Sequence, residues 1–594
     1  MIPVTDIDAA THIIDTSGVV GLLGDAMRTD HRGRKDDPNK LRLLLIGMLL
    51  CIHEHGRATI TVVHKLLTTE LPVGVQFTLG VRRWKTDTDG QSIWILPIHD
   101  LYELSAKITN RLGYGDGKNP DLDPAERERR RRIILAYNDA LMDAFDLGWT
   151  SSIFAMDATG IWSWGKGKKQ RGASPSTTPS TGADPVGDTP DDGPTTAPND
   201  TAEANGATPD VGDGTKTSEG DGPSDDEIVV GDPTSHDPDA SWGVKTAKNG
   251  KEETFYGFHE HTLLQVPADG QKADDEPRLI RRFEVTAANV DVVAPSLDLI
   301  DRLNDRYADA GRQQVEQLIV DRHYHYKAVE RWKDQLARRG IAQINDLRVD
   351  EHGFIEGPGR VRWAAGHAHC PATPDDLGTI LRPGPGEPRS KFDAFAAQIQ
   401  RRERYALARR SSPAVDGSHR AQCPALAGTV GCPLRPGTVE AAIELGLPLI
   451  EQAPDPRRDG EPLPACCTQQ TVTLVPPPAA RKLQQEHYWG SERWTRKWKR
   501  RTYVEGSYGN RKNTSTENMR RGQFRVTGIA WVNIVVGRAA ASYNLRMLRN
   551  WQQRTGKLDP AHPLVAAPPP DHGFVMLTEE EYAQLAARYQ TDAA

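Results

Sequence analysis

The sequence predicts a mixed α/β protein, and three observations predict it. Short runs of apolar residues that include β-branched and aromatic side chains, Ile153-Phe154-Ala155-Met156 and Leu318-Ile319-Val320, read as strands, each closed by an aspartate. Between them Leu279 to Val285 reads as a further strand and Ala294 to Ala308 as a helix, so strands and helices alternate along the chain. At 594 residues the chain has material for several domains and a sizeable core.

Residues 1–150 read mainly as helix. Leu43 to Ile52 is strongly apolar, yet too short to span a bilayer, and is expected to be a buried helix, with no membrane partner. The first residues lack the basic start and apolar core of a signal peptide. A second helix is expected from Asp123 as N-cap, with Pro124 at the first helical position, to about Leu147. Its run Glu126-Arg127-Glu128-Arg129-Arg130-Arg131-Arg132 is either a phosphate-contacting surface or a solvated face.

The net charge of −7 argues against DNA binding only until it is divided along the chain. Residues 174–240 hold sixteen Asp or Glu and one Lys, and the remainder of the chain is basic by eight charges. DNA affinity follows local basic surface, so the whole-chain sum decides little. The acidic segment is rich in Pro, Gly, Ser and Thr and has no Phe, Tyr or Trp, so it is expected to be a disordered insertion. It falls between the strand carrying Asp157 and one near Trp242 to Thr246. A further helix is expected over Tyr326 to Arg338.

From 345 to 480 the pattern weakens into an irregular inserted subdomain rich in Pro and Gly. It holds Cys370, Cys423, Cys432, Cys466 and Cys467, five of the six cysteines, which speak for a reduced, cytoplasmic setting more than for disulfides. With His367 and His369 nearby, a structural Zn²⁺ on Cys423, Cys432, Cys466 and Cys467 is one reading and ordinary reduced thiols the other. Residues 481–525 carry thirteen Lys or Arg against four Glu, with Trp489, Trp494 and Trp498 interleaved, which suits either a nucleic-acid surface or a basic helix whose tryptophans pack inward. They open a stretch, 481–551, expected to complete the core, before a tail over 552–594.

Three acids in this layout fit one site: Asp157, Asp321 and Glu505. Along a single helix the spacing Trp498-x2-Arg501-x3-Glu505-x6-Lys512 places all four side chains within an arc of about 60°. Asp157 and Asp321, each after an apolar run, read as carboxylates at strand ends, where α/β sheets form their sites. Three carboxylates supply the hard oxygen ligands that two Mg²⁺ or Mn²⁺ ions need in phosphodiester chemistry. Arg501, Lys512, Arg500 and Lys499 are then expected to hold DNA phosphates, and Trp498 to stack on a displaced base. Taken singly, each aspartate also suits a turn and Glu505 a helix-face ion pair. Glu517 is a rival third acid that lacks the flanking Arg and Lys spacing.

The chain resembles insertion-sequence transposases of the DDE class, which have an RNase H-like core and a Tyr-Arg-Glu-Lys signature around the third acid. Arg501, Glu505 and Lys512 match that signature, with Trp498 where the family has Tyr. The likeness also rests on Ala155-Met156-Asp157-Ala158-Thr159-Gly160, on Val320-Asp321-Arg322-His323-Tyr324, on Asp239-Ala240-Ser241-Trp242-Gly243 with Phe255-Tyr256-Gly257-Phe258-His259, and on Ala540-Ala541-Ser542-Tyr543-Asn544-Leu545. It spans roughly 150 to 550 and implies an RNase H-like core over 151–173 and 241–344, in which the strand carrying Asp157 and the one near Trp242 to Thr246 form a hairpin. It further implies cleavage at transposon ends, strand transfer into target DNA, and a homo-oligomer on paired inverted repeats, with N-terminal helices helping to recognise the ends. Alternatives are a metal-dependent nuclease without strand transfer and an inactive, transposase-derived DNA-binding protein.

Overall fold

The computed structural model describes residues 2–28, 37–56, 58–87, 90–165, 236–246, 252–268, 270–272, 274–384, 386–520 and 525–566. The N-terminal region holds helices α1 (Val4–Thr16), α2 (Val19–Met27), α3 (Pro38–His55), α4 (Ile60–Lys65) and α5 (Val73–Leu79). A hairpin, β1 (Arg82–Asp87) and β2 (Gly90–Ile95), and helices α6 (Ile98–Leu112) and α7 (Pro124–Asp143) complete it. The helical expectation missed that hairpin. The α7 start is as expected, because the Asp123 carboxylate accepts the amides of Ala125 and Glu126, but the helix stops at Asp143, short of Leu147.

The central sheet has six strands: β3 (Ile153–Trp162), β4 (Ser241–Thr246), β5 (Glu252–Gln265), β6 (Ile280–Ala287), β7 (Gln317–Val320) and β8 (Ala342–Ile344). β5 lies antiparallel to β3, and its other edge is divided between β4, over 252–257, and β6, over 258–264. β3, β7 and β8 run parallel. The expected hairpin of β3 with the Trp242 strand is therefore corrected: β5 is long enough to separate them, and β4 sits on the edge.

Alternation along β3 and β7 divides the interior into two layers. Phe154, Met156, Leu318 and Val320 face helices α8 (Val293–Asp309) and α9 (Lys333–Arg338), packing on Leu299, Ile300, Tyr307 and Leu336. Ala155 and Ile319 face the opposite layer, which the N-terminal helices share with the long C-terminal helix. The N-terminal region thus joins one apolar core with the sheet. The helix expected over Tyr326 to Arg338 is also corrected: a 3₁₀ turn covers Arg322–Tyr326, and only Lys333–Arg338 is α-helical.

The inserted stretch folds into short pieces: β9 (Ile355–Glu356), β10 (Arg362–Ala364), β11 (His367–His369), α10 (Arg389–Glu403), β12 (Ala408–Arg409), β13 (His419–Gln422), α11 (Thr438–Glu444), α12 (Pro456–Asp459), α13 (Ala465–Thr468), β14 (Val472–Leu474) and α14 (Pro478–Leu483). The chain then returns through α15 (Glu492–Trp498), a 3₁₀ turn (Lys499–Arg501) and α16 (Thr502–Lys512) to α17 (Ile529–Thr555). Asn533 on α17 bonds both the N–H and the C=O of Val285, and Asn544 does the same at Ile280, so α17 satisfies the outer edge of β6 with side-chain amides.

The acidic segment expected to be disordered lies outside the described residues up to 235, as does the tail beyond 566. Its last residues are corrected: Asp237 and Asp239 are buried, and their carboxylates accept the amides of Gly528 and Ile529 where α17 begins. Negative charge at a helix start satisfies amides that have no partner within the helix. Among the described residues no single helix is long and apolar enough to cross a membrane, and α3 is buried from Leu43 to Ile52.

Candidate active site

Register brings the two aspartates together. Met156 is paired with Val320 across the parallel β3–β7 ladder, so Asp157 and Asp321 are the next residues on neighbouring strands. By the same alternation both belong to the face of Ala155 and Ile319, the side on which Val504 and Tyr508 of α16 are packed. Asp321 ends its strand as expected and caps the following 3₁₀ turn through the Arg322 amide, at 2.7 Å. Asp157 does not: β3 continues past it, and Asp157 stands opposite Thr262 of β5, where the ladder with β7 stops.

Arg501 ties the acids into one cluster. Its guanidinium lies 2.5 Å from Glu505, 3.6 Å from Asp321 and 3.9 Å from Asp157. The Asp157 carboxyl is pushed up to about 7, first by burial and then by the adjacent Asp321, against the pull of Arg501 and the Ala158 amide. Lys512 Nζ donates to Thr159 Oγ1 at 2.8 Å and to the Gly160 carbonyl at 3.0 Å. Glycine is required at 160, because a Cβ there would meet the Phe255 ring at 2.8 Å. A cavity of about 720 Å³ opens here, bordered by Asp157, Asp321, Glu505, Arg501, Lys512 and His259 among others.

The remaining expected residues divide. Trp498 is corrected: it is 8 % exposed, does not border the cavity, stacks on Trp494 at 5.5 Å, and carries the Arg501 guanidinium over its ring at 5.2 Å. The helix behind the 60° arc runs without a gap from α15 through α16 but tightens to a 3₁₀ turn at Lys499–Arg501, where residues three apart eclipse, and Arg501 accordingly lies over the Trp498 ring. Arg500 reaches the Pro267 carbonyl at 2.6 Å, and Lys499 is exposed; neither borders the cavity. Trp489 and Trp494 are fully buried. The rival acid Glu517 is buried against Arg546, at 2.8 Å, and Ser542, also outside the cavity wall.

Several residues that hold the site escaped the sequence reading. Arg511 pairs with Glu260 of β5 at 2.7 Å, both fully buried, and Tyr508 donates to the Asp157 carbonyl at 2.7 Å, so two consecutive turns of α16 are fastened to the sheet. His259 and His323 border the cavity and are held neutral, His259 down to about 4, chiefly by burial. A charged Glu between Phe258 and Leu263-Leu264, in a stretch flanked by apolar residues, was the available signal for the buried pair.

The donor set of the three acids is all oxygen, which suits hard divalent cations and excludes nothing softer by geometry alone. Among the described residues the groups of three ligands within 4.8 Å of one another are Asp6, His53 and Glu54, and His99, Asp100 and Glu103; the cleft carboxylates are spread around a guanidinium instead. No protein-family model, curated protein or solved structure matches the chain, so what this cleft does is argued from its own side chains.

Proposed function

We propose that the chain is a DNA transposase of the DDE class with an RNase H-like core, cutting DNA at transposon ends and joining them to a target. One observation carries the reading: Asp157 and Asp321, level on adjacent parallel strands, and Glu505 from a helix far along the chain share one cation, Arg501. The strand succession of β3, antiparallel β5 and β6, a helix, then β7 beside β3, with an acid at the end of β7, also supports it. Asp157, Asp321 and Glu505 would hold two Mg²⁺ or Mn²⁺ ions, which supply an activated water or 3′-hydroxyl and a neutralised leaving oxygen when bound.

The chain's own residues prepare that chemistry. Arg501 balances the negative charge of the cleft, which eases the ionisation of Asp157 despite its burial. Lys512, fixed to the backbone of β3, is a point charge at the rim for a phosphate of the incoming strand. Burial keeps His259 and His323 neutral, so they add no positive charge to the cavity beside Arg501 and Lys512. DNA, both transposon ends and target, is the partner, and by resemblance the working species is a homo-oligomer of cytoplasmic, nucleoid-associated protein.

The test is cleavage of DNA carrying the sequences that flank the gene, with Mg²⁺ or Mn²⁺, by wild type and by Asp157→Ala, Asp321→Ala and Glu505→Ala. Metal-dependent nicking at the element's ends, lost in all three variants, is the expected result. Nicking without joined products would leave a nuclease. Binding without nicking under either metal would overturn the catalytic reading in favour of a DNA-binding protein.

A further inference from the structure

A second cavity, of about 800 Å³, lies where the inserted subdomain meets β8 at the edge of the central sheet, and it shares no bordering residue with the catalytic cleft. α9 and β8 supply one wall, the loop that follows β12 a second, and the stretch from α14 to Glu486 a third. Its volume is in the range of sites for small ligands. The buried cysteines of the subdomain are split between two apolar clusters, Cys370, Cys423 and Cys432 in one and Cys466 and Cys467 in the other, and none borders this cavity.

The walls bring cations together from distant parts of the chain. Lys333 Nζ donates to the Gln484 carbonyl at 2.6 Å, and the Arg409 guanidinium to the next carbonyl, that of Gln485, at 3.3 Å, so the two charges are tied to neighbouring peptide units. Arg481 donates to the Val415 carbonyl at 3.2 Å and pairs with Asp334, the residue after Lys333. Arg410 is exposed at the rim, where it bonds the Gln422 side chain at 3.0 Å. Lys333, Arg409 and Arg410 form no ion pair among the described residues. Glu486 is the one acid bordering the cavity, and it already accepts from Gln317 at 2.5 Å. Burial, and then the charge of Arg409, hold the Lys333 ammonium down to about 7. Gln485, 3 % exposed, borders the cavity with a side-chain nitrogen that has no partner among the described residues.

Like charges gathered beside too few acids repel one another until an anion joins them. A carboxylate offers two oxygens, which a single guanidinium satisfies in a fork. Cations arriving from α9, β12 and α14, together with an amide donor, instead match a phosphate monoester, which carries about two charges and presents three acceptor oxygens. We propose that this cavity binds a terminal phosphate group through Lys333, Arg409 and Arg481, with Arg410 at its entrance. Ser411 and Ser412, which follow Arg410 on the same wall, add hydroxyl donors. The remaining room holds the rest of the ester, and the buried Oε1 of Gln343, which has no partner among the described residues, is an acceptor for its hydroxyl or amine. A free nucleotide and the phosphorylated end of a DNA strand both present this group. The inference does not rest on the reading of the catalytic cleft.

The test is calorimetric titration of the full-length protein at low salt with AMP and with a short DNA duplex carrying or lacking a 5′-phosphate. Saturable binding of AMP or of the phosphorylated duplex, displaced by inorganic phosphate, is expected. Arg409→Gln and Arg410→Glu should each weaken it about tenfold, while Arg501→Gln, in the catalytic cleft, should leave it unchanged. Binding of AMP assigns the site to a free nucleotide; a preference for the phosphorylated over the unphosphorylated duplex, weakened by the same variants, assigns it to a strand end. Absence of saturable binding to either ligand overturns the proposal, and so does binding that survives both cavity variants or is lost only in Arg501→Gln. Arg410 is exposed, so its variant decides if Arg409→Gln does not fold.

Discussion

Two arginine-rich stretches of this chain have similar composition and opposite fates. In α7, Arg129 and Arg130 pair with Glu126 one turn away, Arg131 with Glu284 and Asp298, and Arg132 with Glu128 and Asp298. Arg127 reaches the Tyr114 and Asn119 carbonyls. The run expected either to touch phosphates or to lie in solvent is a set of ties between the N-terminal helices, β6 and α8. In the 3₁₀ turn and α16 the acids come from distant strands: Asp157 and Asp321 meet Arg501, and Glu260 meets Arg511. A run of cations has no fixed role of its own. Its role is set by whether the carboxylates it meets lie in the same wall or around an open cavity.

The comparison breaks hardest at Arg511. Arg511→Met leaves Glu260 as a buried, uncompensated charge, and a loss of about 3–5 kcal/mol in chemical denaturation is expected. Adding Glu260→Gln should restore much of it. A single variant as stable as wild type would show that the pair does not anchor α16.

Asp157 sharpens the comparison through pH. Its carboxyl is raised from 3.8 to about 7 in the fold, so the folded state holds its proton after the unfolded chain has released it. Stability contributed by this group is therefore present at low pH and is lost as pH rises from about 4 to about 7. Asp157→Asn should match wild type near pH 4 and exceed it near pH 8 by about 4 kcal/mol without metal, as read by thermal unfolding. An equal advantage at both pH values would remove the titration as its cause.

The smallest effect belongs to α7. Arg132 is half exposed and pairs with Glu128 and Asp298. Arg132→Ala should cost no more than about 1 kcal/mol and leave the salt dependence of DNA binding unchanged. A flattened salt slope would return α7 to the DNA surface.

Much of this was legible from local pattern. The apolar runs at 153–156 and 318–320 located two strands, and Asp123-Pro124 located a helix start, because alternation and capping act over a few residues. The spacing of Arg501, Glu505 and Lys512 was enough to bring those three to one cavity, although the helix assumed for it tightens to a 3₁₀ turn at Lys499–Arg501. Trp498 was misjudged because a ring beside cations looks alike in sequence whether it faces a ligand or Trp494.

What the sequence determined by itself is the set of acids, the basic stretch around them and the mixed α/β class, all properties of composition and short-range period. Tertiary structure alone decided that β5 separates β3 from β4, that Asp237 and Asp239 close the start of α17, and that Arg501 is shared among three carboxylates. Those outcomes depend on ladder register and on burying charges beside partners hundreds of residues away, and neither leaves a local trace in the chain.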